Sequence, residues 1–243
     1  MYTLEMNDLF GKALLDYHNG NYSEDIVTAT NISEEDLLPL PYLFRDYEAM
    51  PTLEQQALQH CKGKVLDVGC GAGSHAIWLQ ENDHAVCAID ISEGAIQVAK
   101  ERGAKQAICS NVLAISEETF DTILLLMNGT GIFETIDKTP HYLRHLKNML
   151  NGNGQILIDS SDLQYMYDRN EDGSIWVPSD HYYGELTFSM SYKGATTATF
   201  PWLYLDEQRF ENLAIAEGFT FEVLARGAHF DYLARLTVVD DTP

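Results

Sequence analysis

Basic side chains are scarce in this sequence of 243 residues. Fifteen Lys and Arg stand against 37 Asp and Glu, which gives a formal net charge of −22. A surface of this sign repels both the phosphate backbone of nucleic acids and anionic lipid. We therefore expect neither a nucleic-acid partner nor a membrane partner, and the composition favours a small molecule as the substrate. The oligomeric state stays open.

Cysteine is scarce as well, and no two of the four cysteines form a CxxC pair. A zinc site needs closer ligand spacing than this, so no metal site is predicted. Asp159 and Asp162 lack further ligands at a supporting spacing. No apolar run has the length of a membrane span, and residues 1–20 are amphipathic and acidic rather than like a signal peptide. These absences favour a cytoplasmic protein with reduced thiols.

The chain contains no internal repeat and no low-complexity segment, and 45% of its residues are apolar. Its length suits one α/β domain with additions. Apolar periodicity predicts an amphipathic helix over 3–18. A polar, acidic stretch and an aromatic cluster at 42–47 follow, and Pro51 opens a second helix that ends near Gly63. We predict an N-terminal helical cap over 1–50 and a main domain over 51–243.

Beyond Gly63, apolar runs that predict strands alternate with helical patterns, which indicates a parallel sheet with right-handed crossovers. A turn is predicted over Asn151–Gly154. The predicted strands cover 65–69, 85–91, 107–109, 122–127 and 155–159, and the predicted helices cover 74–80, 92–102 (with Ser92 as N-cap) and 139–150.

An insertion at about 160–205 interrupts the alternation. Two strands, 185–192 and 196–204, are predicted to form a β-hairpin around Lys193-Gly194-Ala195. A helix over 205–217 that ends at Gly218 and two strands, 220–225 and 232–239, complete the chain. The loop between the last two strands is too short for a helical crossover, so the last strand is predicted to be antiparallel.

The most informative segment runs from Val65 to His75, where a strand leads through a glycine-rich turn into a helix. Gly69, Gly71 and Gly73 have the spacing GxGxG, whereas dinucleotide binders use GxGxxG. Asp67 precedes the first glycine by two residues. A carboxylate there repels a pyrophosphate but attracts an ammonium group. The loop therefore suits a zwitterionic ligand that carries a positive sulfonium.

Residues at the ends of the next two predicted strands support the same interpretation of the ligand. Asp90 ends the second strand and can accept both hydroxyl protons of a ribose, a feature shared with NAD binders. After the third strand, the amide oxygen of Asn111 can accept from an adenine amino group, while Ile91 and Val112 can pack on the ring. Each of these polar residues has a structural alternative, which is to cap a helix or a turn.

With these residues the chain resembles the class I S-adenosylmethionine-dependent methyltransferases over roughly 51–243. The resemblance is strongest at 65–73 and 88–92 and fair at 120–126 and 150–156. It implies a Rossmann-like three-layer α/β sandwich whose seven-stranded, mostly parallel sheet ends in an antiparallel strand. The implied cofactor is S-adenosylmethionine, with S-adenosylhomocysteine as product. The position of Asn111 more often holds Asp in this family.

The resemblance implies a cofactor site in the main domain. The acceptor site is expected to involve the N-terminal cap and the insertion. The residues expected at the cofactor are Asp67, Gly69, Cys70, Gly71, Gly73, His75, Asp90, Ile91, Asn111, Val112 and Met127. Tyr42, Arg45, Asn128 and Tyr183 are the candidates for the acceptor, and His181 is the candidate catalytic base. Arg45 has the alternative of pairing with Asp46 or Glu48.

Methyl transfer is an in-line displacement that depends mainly on positioning, so a strong catalytic signature is not expected. Met127-Asn128-Gly129-Thr130-Gly131 differs from the Asn-Pro-Pro-Tyr pattern of amino methyltransferases that act on adenine or glutamine. The favoured hypothesis is transfer to an O, N or S atom of a small molecule. A macromolecular methyltransferase, a non-catalytic cofactor-binding protein and an NAD-dependent oxidoreductase are the alternatives.

Overall fold

The computed structural model describes residues 8–167, 170, 172, 175–177 and 181–239. The chain divides into two compact units. One contains Met1–Met50, Lys64–Ile115 and Thr187–Phe200, and the other contains Pro51–Gly63, Ser116–Leu186 and Pro201–Pro243. The boundaries that the sequence predicts for the cap, the main domain and the insertion stay predictions.

The first unit combines the N-terminal segment with the first half of the α/β alternation. Its helix α1 packs with α2 and α5 in a buried cluster that includes Leu14, Ile26 and Leu40. The elements are α1 (Leu9–His18), β1 (Ile26–Thr30), β2 (Asp36–Leu38), α2 (Leu40–Leu43), β3 (Lys64–Val68), α4 (Ser74–Glu81), β4 (Ala85–Asp90), α5 (Glu93–Arg102) and β5 (Ala107–Cys109), while α3 (Thr52–His60) belongs to the second unit.

The second unit holds the rest of the alternation. Its helices α3, α6 and α7 pack on strands of the same unit. Its further elements are β6 (Phe120–Leu125), α6 (Thr139–Asn148), β7 (Leu150–Ser161), α7 (Glu207–Ala216), β11 (Phe219–Arg226) and β12 (Asp231–Val238). The hairpin region consists of β8 (Glu185–Tyr192), β9 (Ala195–Thr196) and β10 (Phe200–Leu203), and its residues 187–200 belong to the first unit.

The main sheet has seven strands in the order β11-β12-β7-β6-β3-β4-β5. Strands β3, β4 and β5 pair in parallel, and so do β6 and β7, whereas β12 is antiparallel to both β7 and β11. The fold class predicted from the sequence, with its antiparallel last strand, is therefore confirmed. The reversal follows from the short connection between β11 and β12, which has no room for a crossover helix.

A second sheet escaped the sequence prediction. Strands β10, β8, β1 and β2 form it in that order, and β9 pairs with β8. Val27 in β1 faces Leu37 on one side and Ser191 on the other, both antiparallel. The signal lay in the β-branched run Ile26-Val27-Thr28-Ala29-Thr30, which has high strand propensity. Its surroundings are polar, and its partner β8 is more than 150 residues away, so the sequence alone did not indicate this sheet. The N-terminal cap, which was predicted to be helical, is therefore only partly helical.

Several boundaries differ from the predicted ones. The turn predicted over Asn151–Gly154 is a bulge inside β7, because the register against β6 shifts between Phe120 and Thr122. The strand predicted over 122–127 ends at Leu125, since Met127 and Asn128 have positive φ. The predicted return strand of the hairpin is split into β9 and β10.

The helix ends and the hairpin turn that were predicted from local residue patterns are confirmed. Ser92 is the N-cap of α5, and its side chain accepts a hydrogen bond from the backbone N–H of Ala95. Gly218 follows α7 with a φ of 79°. Lys193 and Gly194 both have positive φ, as a two-residue hairpin turn requires. Within the described part of the chain, no helix is long and apolar enough to span a membrane.

Candidate active site

The glycine-rich turn after β3 uses all three glycines in the left-handed region of φ. The angles are 76° at Gly69, 52° at Gly71 and 84° at Gly73. A Cβ on Gly73 would also lie 3.1 Å from the Cβ of Ala99 in α5. Side chains other than glycine are strained in this conformation, so the turn can bring its backbone close to a ligand only with glycines here.

Asp67 lies inside β3 directly before this turn, and only 1% of its surface is exposed. Its Oδ2 atom has no hydrogen-bond partner among the described residues. Burial raises the pKa of Asp67 to about 6, an effect that nearby Asp90 adds to and nearby His75 opposes. A buried carboxylate oxygen without a partner is costly, and a cationic ligand group would remove that cost.

Asp90, at the end of β4, joins two loops through its carboxylate. Its Oδ2 accepts the backbone N–H of Gly71 at 2.9 Å, and its Oδ1 accepts the N–H of Ser92 at 2.9 Å. Burial raises its pKa, while these two hydrogen bonds lower it. A carboxylate has about four lone-pair sites, so these two hydrogen bonds leave it able to accept a ligand hydroxyl group.

Beside Asp90, Ile91 exposes 70% of its surface, which is unusual for a residue at the end of a buried strand. Val112 is buried, and Asn111 is exposed. The Oδ1 atom of Asn111 accepts the N–H of Leu113 at 2.9 Å and so caps the short 3₁₀ turn Val112–Ala114. Asn111 thus adopts the capping role that the sequence allowed as an alternative. Its oxygen keeps a second lone pair, and the contact with adenine stays a prediction.

Cys70 lies within the turn, His75 lies just after it in α4, and both are buried. The thiol of Cys70 lies 3.8 Å from the carbonyl oxygen of Gly71, and burial raises the pKa of that thiol. The thiol of Cys70 thus contributes to the packing of the turn itself. Together with the acids, the glycines, Ile91, Asn111 and Val112, Cys70 and His75 lie at or shortly after the carboxyl ends of three neighbouring parallel strands of one unit.

The sequence interpretation missed two residues at the start of α1, the N-cap Asp8 and Phe10 in the first turn. Asp8 is the N-cap of that helix and contacts Ser92 and Gly94. Phe10 points toward the turn, and its Cζ lies 3.9 Å from the position that a Cβ on Gly71 would occupy. Only the α1–α5 packing reveals them, since their sequence neighbourhood carries no motif.

Tyr42 and Arg45, predicted at the acceptor, lie at the end of α2. The guanidinium of Arg45 stacks over the ring of Tyr42, 3.9 Å from the ring centroid, and donates a hydrogen bond to the carbonyl oxygen of Tyr42. Arg45 is buried. The two side chains therefore contact each other, and their contact with an acceptor stays a prediction.

The second unit contains the other predicted residues. Met127 is exposed, with a φ of 66°. Asn128 has a φ of 61°, and its side-chain N–H donates to the carbonyl oxygen of Leu203 at 3.2 Å. Non-glycine residues in this region of φ are uncommon and occur often at functional sites. Their roles at the cofactor and the acceptor stay predictions.

Tyr183 lies in a cluster of tyrosines and aspartates. Its hydroxyl lies 2.9 Å from Asp162 Oδ1 and 3.2 Å from Asp206 Oδ2, and the hydroxyl of Tyr182 donates to Asp206 Oδ2 at 2.7 Å. Burial raises the pKa of both tyrosines. His181, the candidate base, is exposed directly beside this cluster in sequence. Among the described residues, no group of three or more His, Cys, Asp or Glu is arranged to hold a metal ion.

Comparison with known proteins gives a consistent picture. Residues 59–199 match a sequence family described as a methyltransferase domain. A SAM-dependent methyltransferase from Bacteroides fragilis, solved in complex with S-adenosyl-L-homocysteine, is 42% identical; the match covers 96% of this chain and 95% of that chain, with a TM-score of 0.89.

More distant solved structures resemble the fold alone. The CcbJ methyltransferase from Streptomyces caelestis is 14% identical with a TM-score of 0.61, and the match covers 79% of this chain and 94% of that chain. The sugar N-methyltransferase KedS8 from Streptoalloteichus sp. is 15% identical with a TM-score of 0.59, and the match covers 87% and 98% of the two chains.

Proposed function

Because this chain belongs to the S-adenosylmethionine-dependent methyltransferases, we propose that it transfers the methyl group to an oxygen, nitrogen or sulfur atom of a small-molecule acceptor. The bound cofactor supplies a methyl carbon that its sulfonium has already activated. What remains for the chain is to bind, orient and exclude water, and positioning of this kind is worth about 7–11 kcal/mol in well-oriented systems.

The observation that carries the cofactor assignment is the Oδ2 atom of Asp67, buried and without a partner beside the glycine turn. A ligand ammonium group fits this atom by charge, because a cation compensates a desolvated carboxylate. The positive φ angles at Gly69, Gly71 and Gly73 keep side chains away from the same space. Cys70 and His75 complete this part of the proposed site.

We assign the ribose to Asp90 and the adenine to Ile91, Asn111 and Val112. A carboxylate has about four lone-pair sites, so that of Asp90 can accept from ligand hydroxyl groups beside its bonds with Gly71 and Ser92. The exposed Ile91 side chain offers an apolar surface for an aromatic ring. Met127 remains a proposed cofactor contact.

A small-molecule acceptor is supported by the charge of the chain. With a net charge of −22, the protein repels RNA and other polyanions. The proposed acceptor residues are Tyr42, Arg45, Asn128 and Tyr183, with His181 as the base that accepts a proton where the acceptor atom arrives protonated. Arg45 would meet an acceptor through a guanidinium that already stacks on Tyr42.

The cofactor assignment is tested by calorimetric titration with S-adenosylmethionine and S-adenosylhomocysteine. We expect micromolar binding by the wild type and a loss of at least about tenfold in affinity for Asp90→Asn, because an amide offers one acceptor oxygen in place of two. Glu93→Gln, on an exposed neighbour, is the matched control. Equal affinities in Asp90→Asn and the wild type would refute the ribose assignment.

The acceptor class is tested with radiolabelled cofactor in a cell extract. After the reaction, ultrafiltration separates small molecules from macromolecules, and we expect the enzyme-dependent label in the filtrate. Label retained with protein or RNA would replace the small-molecule proposal by a macromolecular one. His181→Gln in the same assay should slow labelling, because the variant lacks the proposed base that accepts the proton of the acceptor atom.

A further inference from the structure

One carboxylate joins two helices of the first unit. Asp8 precedes α1, and its Oδ1 accepts the N–H of Gly11 at 2.9 Å, which caps that helix. Its Oδ2 accepts the hydroxyl of Ser92 and the N–H of Gly94, each at 2.9 Å. Asp8 therefore satisfies donors at the N-termini of both α1 and α5, where a negative charge is favourable.

The backbones of these helices touch at a pair of glycines. A Cβ on Gly94 would lie 2.7 Å from the Cα atom of Gly11, which is closer than real contacts allow. A Cβ on Gly11 would collide with the carboxylate of Asp8. Leu9, Ala13 and Leu14 of α1 are buried in a cluster that also contains Ala72 of the glycine turn. Helix α1 thus packs directly against the N-terminal end of α5.

Ser92 carries this contact to the proposed cofactor site. Its hydroxyl donates to Asp8, while its backbone N–H donates to Asp90 Oδ1. Asp90 Oδ2 in turn accepts the N–H of Gly71. A continuous series of hydrogen bonds therefore runs from α1 through Ser92 and Asp90 to the glycine turn, and Phe10 of α1 lies against the same turn.

We propose that Asp8 is a positioning residue for the cofactor, which fixes Asp90 and the turn at Gly71 by holding α1 on the start of α5. The inference rests on the proposed assignment of Asp90 to the ribose. Asp8 does not touch the ligand in this scheme. It acts through Ser92, so that the start of α1 supports the cofactor site without contacting the ligand.

Two variants break the contact independently. Asp8→Ala removes the carboxylate, and Gly94→Ala leaves Asp8 intact but forces the two backbones apart. Lys12→Ala and Gln97→Ala, on exposed positions of the same two helices, are the matched controls. We expect both test variants to bind S-adenosylhomocysteine about tenfold or more weakly, the loss typical of charge-assisted hydrogen bonds, and the controls to bind as the wild type does.

Amide hydrogen exchange separates positioning from general stability. In Asp8→Ala, measured well below its melting temperature, we expect faster exchange at Gly71, Ser92 and Gly94 and unchanged exchange in the interior of β3 and β4. Uniformly faster exchange would mean that Asp8 is merely structural, which overturns the inference. Wild-type affinity in both test variants would overturn it as well. A wild type that binds no cofactor would instead refute the proposed function.

Discussion

At the scale of single residues, the most informative group is Asp67, because its charge is buried without full compensation. Burial raises its pKa from 3.8 to about 6. The folded state therefore binds more protons than the unfolded state between these values, and its stability falls as the pH rises through this window. A cationic ligand reverses the preference by favouring the charged form.

We therefore expect Asp67→Asn to change the pH dependence of stability. Between pH 5 and 7.5 the wild type should lose about 1 kcal/mol of unfolding free energy relative to Asp67→Asn, since only the wild type must ionise this buried group. Urea unfolding at several pH values measures the difference, and the titrations common to both proteins cancel. Parallel pH profiles would show that Asp67 is already ionised without ligand.

The residues of the glycine turn were predictable because neighbouring residues in the chain determine their conformation. Positive φ at Gly69, Gly71 and Gly73 follows from a strand that must turn sharply into a helix. Asp8 was not predictable, since its partners Ser92 and Gly94 lie more than 80 residues away. For Asn111 the sequence allowed a cap or a ligand contact, and the structure shows the cap.

At the scale of elements, the second sheet depends on β1, which is enclosed by strands on both sides. Val27 pairs with Leu37 of β2 and with Ser191 of β8. Leu37 differs from Val27 in its backbone pairing. It lies in the edge strand β2, and its N–H donates to the side chain of Asp36. Proline is tolerated on edges and excluded from central strands.

This difference leads to a paired prediction. Val27→Pro should destabilise the protein by about 1–3 kcal/mol, because proline removes the backbone N–H of a strand that is paired on both sides, whereas Leu37→Pro should cost clearly less. The midpoints of urea unfolding compare the two variants with the wild type. Equal losses would mean that β1 is not the central strand of this sheet in solution.

At the scale of the whole molecule, the net charge of −22 acts on ligands before they bind. S-adenosylmethionine carries a net charge of +1 near neutral pH, and S-adenosylhomocysteine carries none. A negative protein accelerates the approach of the cation alone, and salt screens this attraction. The charge that repels polyanions thus favours the substrate form of the cofactor over the product form.

We expect the association rate of S-adenosylmethionine to fall by about threefold or more between roughly 20 and 200 mM salt, and that of S-adenosylhomocysteine to change little. Stopped-flow binding measures both rates on the same protein, so the product serves as the control for the substrate. An equal salt dependence for the two ligands would contradict electrostatic steering.

The sequence by itself determined the alternation of strands and helices, the GxGxG turn after Asp67, and the position of Asp90 at the next strand end. These features are short-range, because a turn or a strand end is specified by the residues that form it. The tertiary structure decided the second sheet, the bulge in β7, the Tyr183 cluster and the contact of Asp8 with α5. Each of these joins segments that are distant in the chain, and their pairing depends on packing that no local pattern encodes.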